Sequence, residues 1–577
     1  MYLRKCRSTK RKKEHSYWQL VESYRTARGP RQRVVAYLGD ISQAECVGVK
    51  QAAEEKTGTW QSRLFNEESE PEWVEVDTKR IRVEKVRDFG GYWLGLQILE
   101  KLQLIAFLEQ AIPLGREDID WSMVSLVLVL MRLCEPSSEL CIVEHLYERS
   151  PLAGLLGIPE EKMNDNRLYR SLDILLPHKS ALEKYLKERL GKLLHLDYDL
   201  LLYDVTSTYF EGEAAGNGQA RRGYSRDHRP DCKQVCIALI VSREGMPLGY
   251  EVFAGNRSDV TTVEDIVTKI ESQYGRAERI WVMDRGMVSE EILEFLRSGN
   301  RHYIIGAPKS QLKNFERELL SENWEKIRDG PAVKLCSSPE GEETFVLCRS
   351  EARAQKEKAI HDRFEKRIEK GLEKLAESCR KRKQKSGSVE RRVGRLLGVN
   401  SRAAGLFKVE VKEVKAGVAE LVWQKVEAWR QWAELSEGCY ILRTNIADWD
   451  AGKLWEAYIQ LTQAETAFRI QKSDLKIRPI WHQKEERVQA HILVCFLAYV
   501  LWKMLGQMCQ RAGLGNEPRK VFDEIAQIKV VDVVMPTKQG TTIIKRCIAQ
   551  PTKAQSILLQ KLNLHLPQRM KIHPFVV

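Results

Sequence analysis

Two apolar runs each end in an aspartate: LLLYDVTS carries Asp204 and IWVMDRGMVS carries Asp284. In mixed and parallel sheets, ligands gather at the carboxyl ends of strands, where a carboxylate meets solvent and cation while its strand stays dry. Taken singly, either aspartate is better explained as a turn cap; as a pair they read as neighbouring metal ligands. A third acid comes from AYIQLTQAETAFRIQKSDL. With Glu465 as origin, Tyr458 and Leu461 lie seven and four residues before it, and Arg469 and Lys472 four and seven after. Those offsets fall on one helical face, which then carries an acid, two bases and a phenol. The bland alternative is a solvated i,i+4 pair between Glu465 and Arg469. Asp197 and Asp199 stand at the wrong end of their strand, Glu211 and Glu213 fall in a turn, and His482 in RPIWHQ reads as a packed or solvated side chain.

The elements that must position these residues follow from periodicity. From His195 the order is strand (LDYDLLLYDV), two strands around REGMP, a helix (TTVEDIVTKIESQ), a strand (RIWVMDRG), a helix (SEEILEFLRSG) and a strand (HYIIGAP). Such alternation builds an α/β mixed sheet with helices on its faces. The pattern breaks over residues 311–446, where a long charged helix precedes the β-like runs LFKVEVKEV, VAELVW and CYILRTN. A last long helix is expected from about Trp449 to Leu475, then an apolar helix over 488–506. Residues 81–194 are helical, with polar N-caps that suit either a DNA-binding unit or a plain packing domain. The first 80 residues hold a basic arm (RKCRSTKRKK), a β-hairpin around RTARGP, and a linker over 52–80. The expected divisions are thus 1–80, 81–194, 195–310, 311–446, 447–510 and a tail, 511–577, suited to dimerisation.

Composition bounds the partners. The 577 residues are 43% hydrophobic, with 93 Lys plus Arg against 80 Asp plus Glu, a net charge of +13. A basic excess points to an anionic partner, nucleic acid first, with a moderately basic soluble protein as the alternative. Both basic runs, RKCRSTKRKK and Arg380–Arg392, suit phosphate contact. The 13 cysteines include no CxxC pair. Cys232 and Cys236 read as reduced core thiols on one face of the strand CKQVCIALIV, with His228 the partner to consider for a metal, and the odd count suits the cytoplasm. The run Val488–Trp502 is too short to span a bilayer comfortably and reads as a buried core helix; no membrane is expected. Trp324, Trp423, Trp429 and Trp432 read chiefly as core, with base stacking the alternative role.

YDVTSTYFEG, MDRGMVS and YIQLTQAETAFRIQKSDLKIRPIWHQKEERVQAHILVCFLAYVL together resemble DDE transposases of bacterial insertion sequences. The resemblance is to the insertion-sequence-four type and its branch named for insertion sequence 1634, and extends from about residue 14 to 560. The family's signature of Tyr, two residues, Arg, three, Glu, six, Lys reads here as Tyr458, Leu461, Glu465 and Lys472, with leucine at the arginine position. Arg469, one turn past the glutamate, is a substitute on the same face. The resemblance implies Asp204, Asp284 and Glu465 as the catalytic, metal-binding acids, holding two Mg²⁺ or Mn²⁺ ions, and Tyr458, Arg469 and Lys472 as contacts to DNA phosphates. It implies an RNase H-like catalytic core with a β-rich insertion before the glutamate. It also implies cut-and-paste transposition on double-stranded DNA, transposon ends and target alike, by a homodimer in a synaptic complex. The alternatives are a catalytically inactive DNA-binding repressor and a structure-selective nuclease.

Overall fold

A computed structural model describes residues 2–10, 13–26, 29–39, 74–115, 117–338, 341, 343–415 and 418–567. The N-terminal basic run lies largely on β1 (Tyr2–Lys10), which pairs antiparallel with β2 (Lys13–Thr26), and β2 pairs with β3 (Gly29–Gly39). The turn tip at 27–28 and linker residues 52–73 lie outside the described residues. β4 (Arg82–Asp88) joins β16 (Lys529–Pro536) and β17 (Thr542–Ile548) in a three-stranded sheet, so the C-terminal run folds back onto the start of the helical region.

The helical region shares one core with the strands that follow. Helix α1 (Trp121–Cys134) is apolar on nearly every side because it is enclosed: it packs on α7 (Glu485–Arg511), itself buried along most of its length. Asp120, Ser138 and Asn164 accept the amides of Ser122, Cys141 and Arg167 at 2.9, 3.3 and 2.9 Å, satisfying helix N-termini through their side chains. One expectation fails here. α7 runs 27 residues and is, by length and composition, long enough to cross a membrane. What makes it a core helix is burial by protein, not shortness of its apolar run.

Nine strands form the main sheet, in the order β10-β11-β12-β15-β9-β8-β5-β6-β7. Between β5 and β9 the chain runs β5 (Leu200–Tyr209), β6 (Gln234–Ser242), β7 (Pro247–Ala254), α2 (Val263–Tyr274), β8 (Ile280–Met283), α3 (Glu290–Ser298) and β9 (His302–Ala307), the alternation anticipated from the pattern. β5 is antiparallel to β6 and parallel to β8, and β8 is parallel to β9. The remaining members are β10 (Glu325–Lys326), β11 (Ala332–Ser337), β12 (Thr344–Arg349) and β15 (Cys439–Thr444).

The segment between β12 and β15 makes its own core. α4 (Glu351–Lys381), the helix Ser386–Val399, and the ribbon of β13 (Phe407–Lys415) and β14 (Val418–Lys425) enclose Ile368, Leu372, Leu406, Phe407 and Leu421. Chain exit and re-entry are adjacent, since Arg349 pairs with Cys439 across β12 and β15.

Candidate active site

Asp204 does not end its strand, as the pattern suggested. β5 continues to Tyr209, and Asp204 pairs across β6 with Leu239. What opens the position is the shortness of β8. The last β5–β8 pair is Tyr203 with Met283, so Asp204 and Asp284 are the first residues beyond the shared register. Asp284 then caps the turn Arg285–Met287, where its carbonyl accepts the Met287 amide at 3.1 Å, and its side chain is exposed.

The expected long helix 449–475 is two helices, α5 (Ala451–Ile459) and α6 (Thr462–Ser473). Tyr458 and Glu465 therefore do not share one helical face. The break has a packing cause. Leu461 is buried in the core, and the backbone tightens around it through short i→i+3 bonds, with Leu461 donating to Tyr458 and Ala464 to Leu461 at 3.0 Å each. The residue at the family's arginine position is thus turned inward. On α6, Ala464, Ala467 and Phe468 face the core, which leaves Glu465 and Arg469 exposed.

The three acids share one electrostatic neighbourhood. Burial pushes the Asp204 carboxyl from its ordinary range up to about 7, and the charges of Glu465 and Asp284 push the same way. The Val205 amide, donating to Asp204 Oδ1 at 2.8 Å, and the Arg226 guanidinium pull it down. Tyr458 Oη donates to Asp284 Oδ1 at 3.4 Å. Burial and Asp284 drive that phenol's pKa upward, so it remains a donor. The approach requires a glycine across from it: a Cβ on Gly306 of β9 would sit 2.6 Å from Tyr458 Oη.

Lys472 is drawn elsewhere. Its ammonium donates to Asp227 at 2.8 Å, and Arg478 reaches the same carboxylate. Burial lowers the Lys472 pKa, with Asp227 opposing. Arg469 has no carboxylate partner among the described residues. Arg226, Asp227 and Asp259 did not emerge from the sequence. Arg226 pairs with Asp259 and donates its amide to Ser207 Oγ at 3.2 Å, bracing the loop after β5 against the strand that carries Asp204. The density of arginines in RRGYSRDHRP was the available signal.

Asp204, a buried carboxylate with a raised pKa, forms with Asp284 and Glu465 a hard-oxygen donor set, which fits Mg²⁺ or Mn²⁺. The three acids are not drawn within 4.8 Å of one another; the described group with that spacing is Glu139, His482 and His491. His482 is buried in that second cluster, edge-on to Tyr169. Cys232 contacts Arg229 and Asp231, and Cys236 faces the carbonyls of Gly255 and Arg257, with no shared metal cluster among the described residues.

A family model described as the transposase DDE domain matches residues 195–501. A second, the N-terminal domain of the IS1634 family transposase, matches residues 3–63. A search of curated proteins returned no match.

Proposed function

The chain belongs to the DDE transposases of the IS1634 type, and from that premise we propose that it cuts DNA at the ends of its element and joins the freed ends to target DNA. The observation that carries this reading is the Asp204 carboxyl, held near 7 by burial and by two acids from distant segments. A buried acid beside two others, with one arginine in opposition, is a site arranged for added positive charge. The nine-stranded mixed sheet supports an RNase H-like core as the scaffold, and the net charge of +13 supports DNA as partner.

Asp204, Asp284 and Glu465 would hold the divalent ions, whose chemistry is to activate the attacking oxygen and neutralise the leaving one. The chain's own groups prepare that site. The Val205 amide fixes one oxygen of Asp204 and leaves the other for the cleft. Tyr458 orients Asp284 by its hydrogen bond. Arg469, exposed one turn from Glu465, reaches for the phosphate backbone. Lys472, spent on Asp227, holds the loop after β5 in place and meets phosphate only if that pair opens. Hydrolysis frees a 3′-hydroxyl at the end, and the same site then directs that hydroxyl at target DNA. Two ends must be handled together, which calls for two copies of the chain.

The test is cleavage of DNA bearing the element's own ends, with Mg²⁺ or Mn²⁺, comparing wild type with Asp284→Ala and Glu465→Gln. Cuts at the ends that vanish in both variants, with end binding retained, support the reading. Metal-dependent cleavage surviving in either sinks the triad. Binding without cleavage in wild type favours a DNA-binding repressor, and cleavage without joining a nuclease.

A further inference from the structure

A second candidate site lies against the loop that is bonded to the far end of β5. A cavity of about 140 Å³ opens between the end of α1 and the loop that follows α6, and Arg132, Ser137, Lys476, Arg478 and Trp481 line it together with the Glu139, His482 and His491 cluster. We propose that this cavity is a pocket for one phosphate group of the DNA backbone, on a loop tied to the strand that carries Asp204. The proposal rests on the chain being a DNA-handling enzyme.

Arg132 is the central observation. It is 6% exposed and has no ion pair among the described residues. Its side-chain bonds are long: 3.3 Å to the Lys476 carbonyl and 3.4 Å to His491 Nδ1. The buried Glu139 carboxylate feels its charge but makes no ion pair with it, and the guanidinium fork suits a phosphate. Lys476 is exposed at the same cavity, and Arg478 adds a third cation. Glu139, directed at His482 Nε2 at 3.4 Å, and Asp227, paired with Arg478, offset two of the three, and exposed Lys476 has no ion pair among the described residues.

A metal ion is the competing occupant, since Glu139, His482 and His491 offer ligand atoms within 4.8 Å of one another. The hydrogen bonds oppose it. His491 is fully engaged, with Nε2 at 3.1 Å from the Ile477 carbonyl and Nδ1 facing Arg132. A cation there would confront the Arg132 guanidinium, 3.4 Å from His491 Nδ1.

Position ties the pocket to the DNA path. The loop carrying Lys476 to Trp481 is bonded to the end of β5: Ile480 donates to Tyr209 at 2.9 Å and Glu211 to Ile480 at 3.0 Å. Asp204 lies on that strand. Arg478 shares Asp227 with Lys472 of α6. Trp481 is 63% exposed, an indole placed to lie against the sugar-phosphate edge.

The experiment measures binding of full-length protein to end-sequence duplex across a salt series, for wild type, Lys476→Ala and Arg132→Gln. Lys476→Ala, on the surface, guards against a folding defect in Arg132→Gln. The expected result is a three- to tenfold weaker affinity for Lys476→Ala, a log–log salt slope shallower by about 0.9 per lost phosphate contact, and an unchanged melting temperature. In parallel, tryptophan emission is titrated with inorganic phosphate, the duplex and Zn²⁺, with Trp481→Phe isolating the signal. A duplex response that competes with phosphate supports the pocket. An unchanged slope in Lys476→Ala overturns it, even where phosphate alone perturbs Trp481, because the pocket then takes a free anion. Zinc retained through dialysis overturns it in favour of a metal. Binding variants that leave cleavage chemistry measurable separate this outcome from a failure of the triad.

Discussion

Asp204 is a carboxylate whose charge the fold resists. An aspartate in an unfolded chain ionises near 3.9, whereas here it does so at about 7. Between those values unfolding releases a proton. Its contribution to stability is therefore full below the unfolded value and lost as pH rises through the folded one. In EDTA at pH 8, Asp204→Asn should be more stable than wild type by about 4 kcal/mol, and the gap should close by pH 4. Thermal melts at both pH values decide it; equal melting temperatures at pH 8 would contradict the burial argument. Added Mg²⁺ should stabilise wild type alone, by ~1.4 kcal/mol at ten times its dissociation constant. Activity has the opposite sign. Cleavage at limiting metal should fall as pH drops below about 7, and the midpoint should move lower as metal is raised, because ion and proton compete for the same oxygens.

At the scale of elements, the short strand β8 and the break between α5 and α6 govern the site. The break delivers Tyr458 to Asp284 over Gly306, while α6 presents Glu465 from a different axis. Gly306→Ala places a methyl 2.6 Å from the phenol oxygen. It should destabilise by about 1–3 kcal/mol and weaken cleavage by displacing Tyr458 from Asp284. Tyr458→Phe removes the clashing oxygen, so the double variant should recover most of the lost stability. A double-mutant cycle that is additive within about 0.5 kcal/mol would show that the two residues do not meet.

The whole molecule is a mixed sheet, with a helical layer sharing its core and an excursion between β12 and β15. Glu365 on α4 meets Arg430 at 2.6 Å, so the two stems of the excursion lie side by side. Replacing residues 367–425 with a short Gly-Ser linker should leave the sheet folded, with Mg²⁺ stabilisation retained. It removes the basic run Arg380–Arg392, so end-DNA affinity should drop and the salt slope become shallower. Loss of cooperative melting in the deletion would mean that the excursion supports the sheet.

Much of this was legible in the chain because it depends on local periodicity. Alternation from β5 to β9, the polar N-caps at Ser138 and Asn164, and the acids following apolar runs are properties of neighbours in sequence. The motifs around Asp204, Asp284 and Glu465 together pointed to the family. The rest was set by contacts between distant segments, which periodicity does not encode. Where β5 stops, which side of Leu461 faces the core, and whether α7 is enclosed by protein each depend on what packs against them. The ion pair of Lys472 with Asp227 and the position of Arg226 near Asp204 join residues from separate elements. The same holds for Arg132, whose cavity exists only because α1 and the loop after α6 meet around it.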